Sequence, residues 1–262
     1  LLTLYEQTKV YREYGADLRP YSIEPPLLMF IGHTVQTGKT KTKLTTDDKQ
    51  SLSDVQDIVR FLHKVSTNTD WAKETIASIL SGTTGLRDNS GVDIFADKFP
   101  VLQKQPQADR IYKDLLIHVF QTEAGGAVHL ASLRNAPGEI SLRVGSSEVP
   151  FGVINIGDDS NFLNMVEEAN LGIVIDPADA FRGSPFSTIN HTGSTINILV
   201  GAKKFTEGWS SWRVSGMGLL NVGRSEGSEV IQMFGRGVRL KGYAQSLKRS
   251  TELKEGVHPD YL

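Results

Sequence analysis

The chain has 262 residues, 39% of them apolar, a formal net charge of −2 and no cysteine. That length suits one large domain or two small ones. The missing cysteines exclude disulfides, thiolate chemistry and cysteine-ligated zinc together, and the near-neutral charge excludes a global basic field, so any nucleic-acid surface must be local. The six histidines are scattered without a His-x-x-x-His pairing, which argues against a metal site. No apolar run approaches the roughly 18 residues that span a bilayer, and no signal-peptide pattern opens the chain. A cytoplasmic protein with no membrane partner is the expectation. The chain starts at Leu1 rather than Met and reads as part of something longer.

In chain order, Leu1 to Arg19 has helical spacing at Leu4, Thr8, Tyr11 and Tyr14, and Pro20 to Pro26 reads as an extended connector. Leu27 to Ile31 is an apolar run that predicts a buried strand ending at Gly32. Thr34 to Ser51 is polar and rich in Lys and Thr, and reads as a solvated loop. Asp54 to Val65 carries Val55, Ile58, Val59 and Leu62 on one helical face, with Ser53 as the expected N-cap. Helices are also expected over Asp70 to Leu80 and Ala108 to Phe120, with irregular chain over Gly82 to Pro106.

The period then changes. Val128 to Leu133, Glu139 to Val144 and Phe151 to Ile156 read as three strands joined by Gly/Pro turns. A short helix over Asn161 to Ala169 and a strand over Leu171 to Ile175 follow. Ile196 to Val200 is a β-branched run closed by Gly201, Gly216 to Val222 is another strand, and Glu226 to Leu240 has helical length. Alternating strand and helix predicts an α/β fold, a parallel sheet with helices on both faces. Residues 1–26 form a helix and connector, residues 27–262 the main domain, and about 82–158 an insertion.

Gly32-His-Thr-Val-Gln-Thr-Gly38-Lys39-Thr40 invites a phosphate-loop reading, but that loop needs four residues between its glycines and this one has five. No Asp-Glu box follows an apolar strand. The nearest stand-in, Ile173-Val-Ile-Asp176-Pro177, turns at Pro177 and is a poor magnesium ligand. Glu139 and Glu148 lack the Asp/Glu-x-Lys partner of a nuclease site. His118 and His129 read as structural, and Trp209 and Trp212 as packing residues before base-stacking ones.

The strongest signal lies near the end. Gln232, Arg236 and Arg239 fall at i, i+4 and i+7, one face of the last helix. Two guanidiniums side by side match a polyphosphate in shape and charge. Gln232-x-x-Gly235-Arg236-x-x-Arg239 resembles motif VI of superfamily 2 helicases and translocases. Upstream, Lys203-Lys204-Phe-Thr206-Glu207-Gly208-Trp209 resembles motif V, most closely that of type III restriction subunits, and Ser210 stands where those usually have Asp.

The resemblance implies a second RecA-like core domain, the C-terminal half of an ATP-dependent DNA helicase or translocase of restriction or phage-defence type. Arg236, Arg239 and Gln232 would be its catalytic residues and Glu207, Gly208 and Gly235 its ATP contacts. Lys203, Lys204 and Thr206 would meet nucleic acid, DNA or RNA. ATP and Mg²⁺ would be held mostly by an N-terminal RecA-like domain of the same protein, with a methyltransferase or other restriction subunit as a further partner. The fragment alone would be inactive. Two alternatives stand beside it: a complete P-loop NTPase on Gly38-Lys39-Thr40, and a non-catalytic nucleic-acid-binding module.

Overall fold

The computed structural model describes residues 1–32, 46–104, 107–179, 183–201 and 211–220. Their elements are α1 (Leu2–Leu18), a 3₁₀ turn (Arg19–Tyr21), β1 (Leu27–Ile31), α2 (Thr46–Thr67), α3 (Thr69–Ser81), α4 (Ala108–His118), β2 (Val128–Ser132), β3 (Glu139–Val144), β4 (Gly152–Asn155), α5 (Asp159–Glu168), β5 (Val174–Ile175), β6 (Ile198–Gly201) and β7 (Val214–Leu219). Local chemistry explains the boundaries. The Asn68 side chain accepts the Trp71 amide and caps α3, Gly82 closes it in the left-handed region, and Asp158 caps α5 through the Asn161 amide. Ser53 is not a cap. It lies inside α2, which starts at Thr46, so residues 46–51 are helix where a polar loop was expected.

The strands form one seven-stranded sheet in the order β5-β2-β3-β4-β6-β1-β7. β1 pairs in parallel with β6 and β7, β4 with β6, and β2 with β5. β3 alone runs against its neighbours β2 and β4. The fold is therefore α/β with a mixed sheet, where a purely parallel one was expected. Residues 82–158 follow the predicted strand pattern, and their three strands join this same sheet, with β4 seated between β3 and β6. The turn between β2 and β3 is tight: Gly138 has φ +82°, and a side chain there would meet the Ile156 carbonyl at 2.5 Å.

Side-chain alternation divides the core. Ile154, Ile198, Val200, Leu130, Ile140 and Leu142 face a cluster to which all five described helices contribute. Leu27, Met29, Ile31, Val153 and Leu199 face a smaller cluster with Ile189, Ile196 and Val214. Among the described residues that second face is covered by the segment around Phe186 to Ile196 rather than by a helix.

α2 is fastened to the sheet by polar contacts at its end. The Ser66 hydroxyl donates to the Gly126 carbonyl at 2.8 Å, and the Gly126 amide donates back to the Ser66 carbonyl at 2.9 Å. Gly125 is required beside them, since a Cβ would lie 2.4 Å from the Ser66 oxygen. The Val128 amide donates to His63 Nδ1 at 3.2 Å, so that nitrogen must carry no proton. Burial lowers the His63 pKa below its ordinary 6.5. Below pH 6.5 the unfolded chain therefore binds a proton that the folded chain refuses. Stability is lost as pH falls from 6.5 toward the lower folded value, and is flat above 6.5 for this group. Burial lowers the His118 pKa as well, with the same sign. The thermal midpoint is expected to drop as pH falls from about 6.5 to about 5, and His63→Asn to flatten that slope, leaving the His118 part.

Candidate functional site

β4, β6, β1 and β7 run the same way, so their carboxyl ends share one edge. The register sets one row there: Glu139 beside Asn155, Asn155 beside Gly201, and Ile31 beside both Gly201 and Leu219. Three departures from this row carry the sequence signals: the chain leaves β1 at Gly32, β6 at Gly201 and β7 at Leu220. From β4 the chain turns through α5 to β5 on one side of the sheet, whereas from β6 it goes to β7 on the other. The connections diverge between β4 and β6, and divergent connections at the carboxyl edge mark the place where open α/β sheets commonly bind ligands.

Two buried polar side chains face this edge. Glu139 is 3% exposed, and it accepts the Ser184 hydroxyl at 2.7 and 2.9 Å and the Phe186 amide at 3.3 Å. It fastens the segment covering the second face, a structural task rather than nuclease chemistry. Asn155 is 8% exposed, and its Nδ2 finds no partner among the described residues. An orphaned buried donor costs about 1–3 kcal/mol. Asn155→Leu, which removes the donor at similar volume, is expected to leave stability unchanged or raise it by about 1 kcal/mol in denaturant melts. A third group, Asp54 on α2, is 2% exposed and crowds the end of β1: a Cβ on Gly32 would lie 3.3 Å from that of Asp54.

The residues named from the sequence do not fall in the described parts. Lys203, Lys204, Thr206, Glu207, Gly208 and Trp209 lie outside them, as do Gln232, Gly235, Arg236 and Arg239, and so do Gly38, Lys39 and Thr40. What is described is the strand end that precedes each set.

Other candidates can be followed directly. The Asp176 carboxylate, just after β5, receives Arg143 Nη2 of β3 at 2.5 Å and lies 3.1 Å from His129 Nδ1 of β2, so it forms an ion pair that ties the three strands. Glu148 is exposed and pairs with Arg143 at 2.9 Å. No group of three or more His, Cys, Asp or Glu among the described residues could hold a metal ion. Trp212 is half-buried at the amino end of β7, the opposite edge from these strand ends.

Sequence reading missed Arg213. It is 5% exposed and spends its guanidinium on backbone carbonyls: Nε on Pro25 at 3.0 Å, Nη1 on Ile189 at 2.5 Å and Nη2 on Ile196 at 2.8 Å. It ties the entry to β1, the covering segment and the entry to β6 to the start of β7. Desolvation lowers its pKa, though guanidinium stays charged. A lone Arg in an apolar stretch, Trp212-Arg213-Val214, was the available hint.

The described residues define an α/β fold with a mixed seven-stranded sheet, with the ends of β4, β6, β1 and β7 along one edge. Comparison with family models, with curated proteins and with solved structures finds no match to this chain. Among the described residues no helix is long and apolar enough to cross a membrane.

Proposed function

We propose that the chain is the C-terminal, RecA-like half of an ATP-dependent DNA translocase of restriction or phage-defence type. The observation that supports this most is the shared edge: the segments carrying the motif V-like and motif VI-like residues depart from the carboxyl ends of β6 and β7, which flank β1, at the edge where ligands gather. In this reading Arg236 and Arg239 bring positive charge to the γ-phosphate as it departs, and Gln232 fixes its position. Lys203, Lys204 and Thr206 grip the phosphate backbone of a nucleic-acid strand. The sequence offers no Asp-Glu box after an apolar strand. In this reading the metal and the bulk of the nucleotide therefore belong to a partner lobe, which contributes the charge neutralisation that a metal gives a phosphoryl group. Opening and closing of the two lobes then moves the protein along the strand, in the cytoplasm and alongside other restriction subunits.

Steady-state ATP hydrolysis tests the proposal. The 262-residue chain alone should stay at background, and joining it to a lobe with its own Gly-Lys-Thr loop and Asp-Glu box should give turnover stimulated by DNA. Turnover by the chain alone would instead favour a complete P-loop enzyme on Gly38-Lys39-Thr40.

A further inference from the structure

Between α3 and α4 the chain makes a small hairpin that the function proposed above does not use. Arg87 and Asp93 bridge in antiparallel fashion, the Ile94 amide donates to the Leu86 carbonyl and the Asp88 amide to the Val92 carbonyl, both at 2.9 Å. This register puts Leu86, Val92 and Ile94 on one side of the hairpin and Arg87 and Asp93 on the other. The Asp93 carboxylate anchors its side, accepting the Thr84 amide and hydroxyl at 2.8 and 2.7 Å. The aliphatic side faces water: Leu86, Val92 and Ile94 are 56%, 51% and 42% exposed. At the tip, Asp88 Oδ1 accepts the Ser90 and Val92 amides at 2.8 and 3.0 Å. Three aliphatic side chains thus sit on a stiff support, and a support already ordered pays little entropy on binding.

Beside this knob lies a hollow. A groove of about 320 Å³ runs between α1, α2, α3 and the chain just past the hairpin. Phe95 and Phe99, close behind Ile94, line it from one side, and Phe61, Trp71 and Ile79 from the helices. Thr3 and Thr75 bring its only side-chain hydroxyls among the described residues, and no charged side chain lines it. Phe61 is 41% exposed, so the groove opens to solvent. An apolar lining of this kind disfavours nucleic acid and charged peptides, whose ions would lie against it unpaired. Open apolar surface marks a protein contact.

The convex and concave parts together set what can cover them. The occupant needs an apolar hollow for the hairpin and an apolar knob for the groove, and this chain carries that pair itself. We infer that this surface joins two copies of the chain about a two-fold axis, the hairpin of each seated in the groove of the other. A contact of this form is self-complementary and closes at two copies. The groove has room for a few aliphatic side chains, being at the lower end of the range for small-ligand pockets. Three knob residues and thirteen lining residues fall short of the roughly 20–30 a side of a standard interface. The dimer is therefore weak, with a Kd on the order of 100 µM. None of the residues of the ATP reading takes part, so the two stand or fall separately.

The test is sedimentation equilibrium of the full chain from about 5 to about 500 µM, a span that brackets this Kd. Wild type is expected to pass from monomer to dimer mass. Leu86→Lys and Phe61→Glu, both at exposed positions, should each stay monomeric while melting as cooperatively as wild type. Ile94→Lys is the second knob variant, with the same expected result. Mixed in equal amounts, Leu86→Lys and Phe61→Glu should associate again, because one knob and one groove remain intact and the altered pair sets Lys against Glu. A wild-type chain that stays monomeric throughout would overturn the assignment, as would a dimer untouched by these substitutions. A mixture that stays monomeric would overturn the exchanged geometry. Saturable binding of a capped leucine-rich peptide by a chain that never dimerises would assign the surface to another protein instead.

Discussion

If the chain is half of the two-lobed translocase proposed above, Arg239→Ala is expected to lower its DNA-stimulated ATP hydrolysis about 10³-fold, the scale at which arginine fingers act on phosphoryl transfer. The reasoning is electrostatic. Charge shifts onto the phosphoryl oxygens and the leaving group during transfer, and a guanidinium fixed beside them stabilises the transition state more than bound ATP. The loss should therefore fall on kcat, with KM for ATP changed far less. Arg236→Ala should behave alike. Arg239→Lys should rescue little, because an ammonium lacks the two parallel N–H groups that match phosphate. Steady-state kinetics over a range of ATP concentrations separates these effects. If Arg239→Ala and wild type hydrolyse ATP equally, the chain is a binding module that has kept the motif without its chemistry.

The second large effect concerns stability. Arg213→Met keeps most of the apolar stem and removes the fork, leaving the carbonyls of Pro25, Ile189 and Ile196 without their donor. Each buried unpaired carbonyl costs about 1–3 kcal/mol. Part is recovered because a charge no longer has to be held away from water. The net expectation is a loss of about 3 kcal/mol, read as a lower denaturant midpoint at unchanged slope. Arg213→Lys should recover only a fraction, since one ammonium cannot reach three carbonyls diverging from a plane. Unchanged stability in Arg213→Met would mean that water replaces the fork at no cost.

Much of the fold was legible in the sequence. Short apolar runs mark β1, β4 and β6, the last two rich in β-branched residues, and heptad-like spacing marks the later half of α2. The start of α2 was missed because Thr46 to Gln50 offers no apolar stripe, and that turn is helical only as an extension of the packed part. The reversal of β3 was also missed, although the signal was present: the links from β2 to β3 and from β3 to β4 are too short for a parallel crossover. Asn155 could not be found by pattern, because a polar residue in a strand looks the same in sequence whether it faces water or the core, and Arg213 had only its apolar neighbours as a hint. The candidate site was readable only through motif resemblance. The structure adds the strand ends that precede the motifs, and not the motif residues themselves.

β1 is translated well before its partners: Leu28 pairs with Ile198, and Leu27 with Val214. Until those segments leave the ribosome, Leu-Leu-Met-Phe-Ile stands with both hydrogen-bonding sides bare, an apolar five-residue strand with no charge to discourage self-association. Closure of the sheet therefore waits on contacts remote in sequence, which makes folding slow. Truncations that end before β6 are expected to precipitate rather than accumulate as monomers, and nascent chains at that stage are natural clients for a chaperone.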